Sequence, residues 1–261
     1  MNANVSAYLH FYGVLIAIVR PSVVAALLLG LWVALSRTTM TRRERAATWL
    51  AVAVPLVLWF AGIWSAAARG MLQGPRGAVS SLPLLVVTPV VVGLFGLTRS
   101  RRIAAAVEAA PVSWLIALQV YRVMGANFVV LWLFGVIPGV FAEPAGFGDI
   151  AVGVLAMPAA LYAASVRRGA TAVAVAWNVL GIADLLNALT LGFLSSPGRF
   201  QLFAFDRPNV AVGSYPTVMT PAFAVPLSLV LHGLSLWQLH RRSRRQQGNQ
   251  SAEPLSSPMR A

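Results

Sequence analysis

The sequence predicts an all-α integral membrane bundle of about seven transmembrane helices, with the N-terminus outside and the C-terminus in the cytoplasm. Three observations predict it. Apolar residues make up 58% of the 261 and charged residues only 10%, where soluble domains average roughly 25% charged. Apolar runs recur at lengths near the ~20 residues that a ~30 Å hydrocarbon core requires. Arginines gather between those runs, mostly in alternate connections, as the positive-inside rule asks. A barrel would instead show short alternating segments.

Taken in order, span 1 covers residues 8–35, with Arg20–Pro21 marking an expected kink. Arg37, Arg42, Arg43 and Arg45 follow it. Span 2 covers 46–68, with Trp49 near one end and Trp59 and Trp64 near the other, as interfacial aromatics would sit. Residues 69–81 read as a Gly/Pro loop. Span 3 (82–97) is short, holds Pro89 and is closed by Arg99, Arg101 and Arg102; 103–110 reads as an interfacial helical turn ending at Pro111. Span 4 covers 112–136, and the Pro/Gly-rich stretch 138–148 reads as a turn. Span 5 covers 149–166 and is closed by Arg167 and Arg168; span 6 covers 170–194; a loop over 195–217 leads to span 7 at 218–240. The chain thus divides into a transmembrane bundle, 1–240, and a basic, disordered cytoplasmic tail, 241–261, which lacks aromatics. The first residues carry neither a basic n-region nor a cleavage site, so no removable signal peptide is expected.

Of the arginines outside the spans, fourteen fall on one side of this arrangement and four on the other, which sets the orientation. The net charge of +13 is therefore a topology signal, and no nucleic-acid partner is expected; the partner is the lipid bilayer. There is no lysine, which excludes a retinal or pyridoxal Schiff base, and no cysteine, which excludes disulfides, thiol catalysis and iron–sulfur ligation. His10, His232 and His240 fall at different depths, so neither haem nor another metal site is expected, and no cofactor is read. An echo between Tyr121-Arg122-Val123-Met124-Gly125 and Trp177-Asn178-Val179-Leu180-Gly181 raises the question of a parallel repeat of spans 4–5 and 6–7.

Four charges fall within the spans or at their rims: Arg20, Arg122, Asp149 and Asp184. Each costs at least ~2.5 kcal/mol near the bilayer centre, and such groups usually face the bundle interior. On these spans Arg20 lies at mid-depth, Arg122 in the inner third, Asp184 in the outer half and Asp149 at the outer rim. Arg20 and Asp184 are then the nearest match. The structural readings are a snorkelling arginine for Arg122 and Arg20, a helix cap for Asp149, and an ion pair or hydrogen bond for Asp184. Asn178, Gly181 and Asp184 share a broad face of span 6, with Asn187 one turn beyond Asp184. Asn127 and Asn178 read first as interhelical glue, and Glu143 as a solvated loop residue.

The motifs FAEPAGFGD (141–149, pattern FAxPAGxGD) and WNVLGIADL (177–185, pattern WNxxGxxDL) resemble those of a group of hypothetical, uncharacterised multi-pass membrane proteins of bacteria. The resemblance covers roughly spans 4 to 6, and the W…P…W pattern of span 2 is consistent with it. It implies a bacterial inner-membrane location and brings no catalytic residue, substrate or cofactor.

The functional expectation is binding or transport of a small solute or ion at a site between spans 1, 4, 5 and 6. Asp184 and Asp149 would hold a cation or proton, Arg20 or Arg122 would act as counter-charge, and Asn187 and Asn178 as hydrogen-bond partners. The alternatives are a non-catalytic membrane subunit or scaffold, and an intramembrane enzyme acting on a lipid or isoprenoid. No catalytic set is identified, and oligomeric state is not read.

Overall fold

The computed structural model of the chain describes residues 3–74 and 82–252, with the backbone alone over 246–252. Part of the expected Gly/Pro loop, 75–81, and the end of the tail, 253–261, lie outside the described residues. Among the described residues the regular structure is entirely helical.

Helix α1 (Ala3–Ser36) runs without interruption through Pro21. Helix α2 (Arg42–Ala68) starts at a capping box: the Thr41 hydroxyl accepts from the Glu44 amide, and the Glu44 carboxylate accepts from the Thr41 amide. Trp49 Nε1 donates to the Leu28 carbonyl at 2.9 Å and ties α2 to α1. Helix α3 (Leu82–Arg99) is the shortest of the long apolar helices, and α4 (Arg101–Ala109) is a short amphipathic helix capped by Ser100. Helix α5 (Val112–Leu133) changes character along its length, with a 3₁₀ stretch, Leu118–Gly125, between two α-helical ends. Helix α6 (Gly139–Ala163) and α7 (Ala170–Ser195) form a hairpin whose turn uses Gly169 at φ +85°, a left-handed conformation that glycine adopts at low cost. Helix α8 opens with a π-helical turn, Thr220–Ala224, and continues as an α-helix over Val225–Ala252.

Seven of these eight helices, all but α4, are long and apolar enough to cross a membrane. Their outer faces show Leu29, Leu58, Leu84, Phe95 and Leu161 to the surroundings, while Arg20, Gln119, Arg122, Asp149 and His232 are buried. An apolar exterior around a polar interior is the distribution a lipid-facing bundle requires.

Helix α8 is the axis of the bundle. In its most apolar 18 residues 72% are buried, against 11–44% in the other six. Ser228, His232, Ser235 and Gln238 recur at helical spacing along it, and all four are buried. The side chains of a helix enclosed by its neighbours need internal partners: Gln119 pairs with Ser228, Asn178 with Ser235, and Gln238 donates to the Val107 and Ala110 carbonyls.

The largest difference from the sequence expectation concerns α6. In place of a turn over 138–148 and a helix from Asp149, the helix starts at Gly139, with Pro138 as its N-cap. Ten extra residues at 1.5 Å each carry Asp149 ~15 Å inward from the helix start. The cap assigned to Asp149 is thereby replaced by a buried position in the middle of α6. The glycines here serve close packing, not a turn. A Cβ on Gly153 would lie 2.6 Å from the Val123 backbone nitrogen, and one on Gly146 would lie 2.6 Å from Val129 Cγ2. Small residues at such positions let helix backbones approach each other. Glu143, expected in a loop, is exposed but helical.

At the other end, α8 continues through Ala252, so the segment from 241 that composition marks as disordered begins as helix. Glu108 of α4 receives ion pairs from Arg241 (2.5 Å) and Arg245 (2.7 Å), which hold α4 against α8.

Candidate functional site

The site is built around Arg122. It lies on the 3₁₀ stretch of α5, where a tighter helix of about 3.0 residues per turn replaces the usual 3.6. That stretch also carries Gln119 and Tyr121, and all three residues are buried. The Arg122 guanidinium is the hub of the polar core. Its Nε donates to Asp149 Oδ1 of α6 at 2.7 Å, and one terminal nitrogen donates to Asp184 Oδ2 of α7. The other terminal nitrogen donates to the Gly181 carbonyl at 3.2 Å and lies 3.3 Å from His232 Nε2 of α8. Four helices are thus tied by one side chain. Charge-assisted bonds of this kind are stronger than neutral ones, and the planar fork of arginine can serve several acceptors at once.

A second layer supports the hub. His232 Nδ1 lies 2.9 Å from Asn178 Oδ1, and Asn178 donates through Nδ2 to Ser235 Oγ at 3.0 Å and to the Ala174 carbonyl at 2.7 Å. With its Nδ2 committed as a donor, Asn178 offers its oxygen to the ring, so His232 Nδ1 carries the hydrogen. His232 Nε2 is then the lone-pair nitrogen that faces Arg122. The Trp177 ring lies against the imidazole with centroids 5.0 Å apart.

Arg20 of α1 forms the other half of the site. It is 2% exposed. One terminal nitrogen donates to Thr220 Oγ1 at 3.2 Å, and the guanidinium sits 5.4 Å from the centre of the Tyr121 ring. Its Nε and remaining terminal nitrogen have no hydrogen-bond partner. The Tyr121 hydroxyl donates to the Ala224 carbonyl at 3.1 Å and lies 2.6 Å from Ser228 Oγ. Ser228 in turn donates to Gln119 Oε1 at 2.9 Å. Between the two arginines is a cavity of about 10 Å³, lined by Arg20, Tyr121, Arg122, Asp149, Thr220 and Ser228 among others. That is room for roughly one water-sized occupant.

Two stretches of irregular backbone meet at this cavity, the 3₁₀ segment of α5 and the π turn of α8. Such departures from α-helix shift which side chains share a face, and π turns are frequent at functional sites. Here they turn Tyr121 and Arg122 on one side, and Thr220 and Ala224 on the other, towards one point.

Of the six residues singled out in the sequence, five are in this core. Arg122, Asp149 and Asp184 are brought together directly. Asn178 joins through His232, and Arg20 faces the shared cavity. Asn187 does not join: it is exposed on the outside of α7. The expected nearest pair, Arg20 with Asp184, is replaced by Arg122 with both acids, because the early start of α6 and the reach of the arginine bring all three to one level. The alternative reading of Arg122 and Arg20 as snorkelling arginines does not hold, since both are buried. The site also draws on α8, which the sequence expectation leaves out. His232, Thr220, Ser228, Gln119 and Tyr121 are the residues that sequence reasoning misses. The signal that could have found some of them is the buried polar spacing of Ser228, His232 and Ser235. Asn127 accepts from the Tyr8 hydroxyl at 3.2 Å and ties α5 to α1, as its packing reading requires.

No curated protein and no solved structure matches the chain. One family matches residues 79–240, a stretch that holds Arg122, Asp149, Asp184 and His232 and begins after Arg20. That match covers more than half of the sequence, and the chain belongs to the family described as "Domain of unknown function (DUF8737)".

Proposed function

We propose that this is a multi-pass protein of a bacterial inner membrane, N-terminus outside and C-terminus in the cytoplasm, that binds and moves a small solute or ion through the polar core between α1, α5, α6, α7 and α8. The observation that carries the reading is the meeting of two irregular helical segments at a cavity lined by two buried arginines and Asp149. Local departures from α-helix geometry such as π turns are frequent at functional sites.

The orientation rests on the arginine distribution. Reporter fusions after Arg45, Arg102, Arg168 and Arg245 are expected to report cytoplasm. A periplasmic signal at Arg168 would remove one span from the assignment.

The transport reading is tested by untargeted metabolite profiling of cells that lack the protein, complemented with wild type or with Asp184→Asn. A restricted set of solutes should change on loss and return with wild type. The return should fail with Asp184→Asn inserted at wild-type level. A profile unchanged by loss of the protein would favour the scaffold reading. That alternative draws its support from Arg122, whose two acid partners leave the hub internally satisfied. The enzyme reading is weaker, because neither acid is free to act as an unpaired proton donor.

A further inference from the structure

We infer that the cavity beside Arg20 is a binding site for a small monovalent anion of about halide size; this rests on the solute-binding reading above and names its ligand class. The sequence alone points the other way, to a cation held by Asp149 and Asp184. The geometry assigns those carboxylates to Arg122. Arg20 touches no acid directly: among the described residues every ion pair involves some other arginine. Its one side-chain acceptor is the neutral Thr220 hydroxyl, and its Nε and one terminal nitrogen have none.

Buried N–H groups of a charged side chain that lack acceptors are costly. The Tyr121 ring face at 5.4 Å offsets part of that. A water in the cavity could accept from Arg20 but would bring no charge. An anion would accept from the same groups through stronger, charge-assisted bonds. The lining suits one: the unpartnered N–H groups of Arg20 face it, with the Thr220 hydroxyl as a further hydrogen-bond donor. Asp149 Oδ1 is held by Arg122 at 2.7 Å, so much of its charge is already answered. The volume, about 10 Å³, excludes a large organic anion without rearrangement and admits a monoatomic one only if the lining expands. The π turn carrying Thr220 is the element that would give.

The test uses the purified full chain in detergent, in gluconate buffer at fixed ionic strength. Chloride, bromide or nitrate replaces gluconate stepwise while thermal unfolding is followed. A saturable rise in Tm is expected, about 5–10 °C at a hundredfold excess over Kd, with binding of one radiolabelled chloride per chain. Arg20→Met should abolish both responses, and Arg20→Lys should weaken them. Thr220→Val should weaken them without removing the charge, and it serves if Arg20→Met does not fold. A Tm indifferent to the identity of the anion, with no chloride bound, would overturn the proposal and leave a bridging water as the occupant. That failure would not touch the transport reading, which is decided separately by the metabolite profile.

Discussion

Arg122→Met is expected to destabilise the protein by about 3–5 kcal/mol, the usual cost of stranding buried charges by removing their partner. Two carboxylates, Asp149 and Asp184, would lose the guanidinium that binds them, and the Gly181 carbonyl would lose a donor. In a protein of this size that amounts to roughly 6–20 °C in Tm, at about 2–4 °C per kcal/mol. The companion variant is the triple neutralisation Arg122→Met/Asp149→Asn/Asp184→Asn, in which neither acid is left without its guanidinium. It should recover most of the loss, because replacing a whole buried ionic group costs far less than breaking it. Thermal unfolding in detergent reads both. A single Arg122→Met variant as stable as wild type would mean that the acids have other partners and that Arg122 is not the hub.

The second large effect concerns a glycine. Gly153→Ala places a Cβ 2.6 Å from the Val123 backbone nitrogen, in a contact where no flexible side chain can give way. The α5–α6 interface must separate, and overpacking of this kind costs about 1–3 kcal/mol. Because Val123 follows Arg122 in the chain, the displacement should also loosen the Arg122–Asp149 bond. Gly62→Ala in α2 is the control, since nothing lies within 4 Å of its added Cβ. There the gain in helix propensity, up to about 1 kcal/mol, should appear uncancelled. Thermal unfolding of the two variants side by side checks this, and equal effects at both positions would show that helix propensity, not packing, decides.

That glycine also shows what a single sequence can and cannot reveal. The long helices are legible because an apolar run of membrane length has few stable settings outside a bilayer, and the clustering of arginines between the runs marks their ends. FAEPAGFGD misleads because glycine and proline are ambiguous. In water they signal turns. Between packed helices the same glycines signal contact, and the choice depends on a neighbour that a single sequence does not display. Asp149 lies about ten residues further inside its helix for that reason alone. The pairing of charges is out of reach on similar grounds. Depth along a helix constrains which groups can meet, yet the angle around the helix decides which do, and the 3₁₀ stretch of α5 shifts that angle without an evident marker in its composition. Asn187 shows the same limit: one helical turn from Asp184, it nonetheless faces outward. The central place of α8 is partly legible, since a polar stripe of Ser228, His232 and Ser235 within an apolar helix implies partners on that side.

The 3₁₀ stretch has a mechanical side as well. A 3₁₀-helix advances about 2.0 Å and 120° per residue, whereas an α-helix advances about 1.5 Å and 100°. Over the eight residues from Leu118 to Gly125, rewinding to α-helix would shorten α5 by ~4 Å and unscrew its two ends relative to each other by ~160°. Arg122 sits on the thread of this screw, and the glycine-lined seam with α6 is the nut in which it would turn. Pitch is thus set by the Leu118–Gly125 stretch of α5 and bearing by Gly146 and Gly153 of α6, so that a local change of winding at Arg122 would be delivered to both ends of α5 as rotation and stroke.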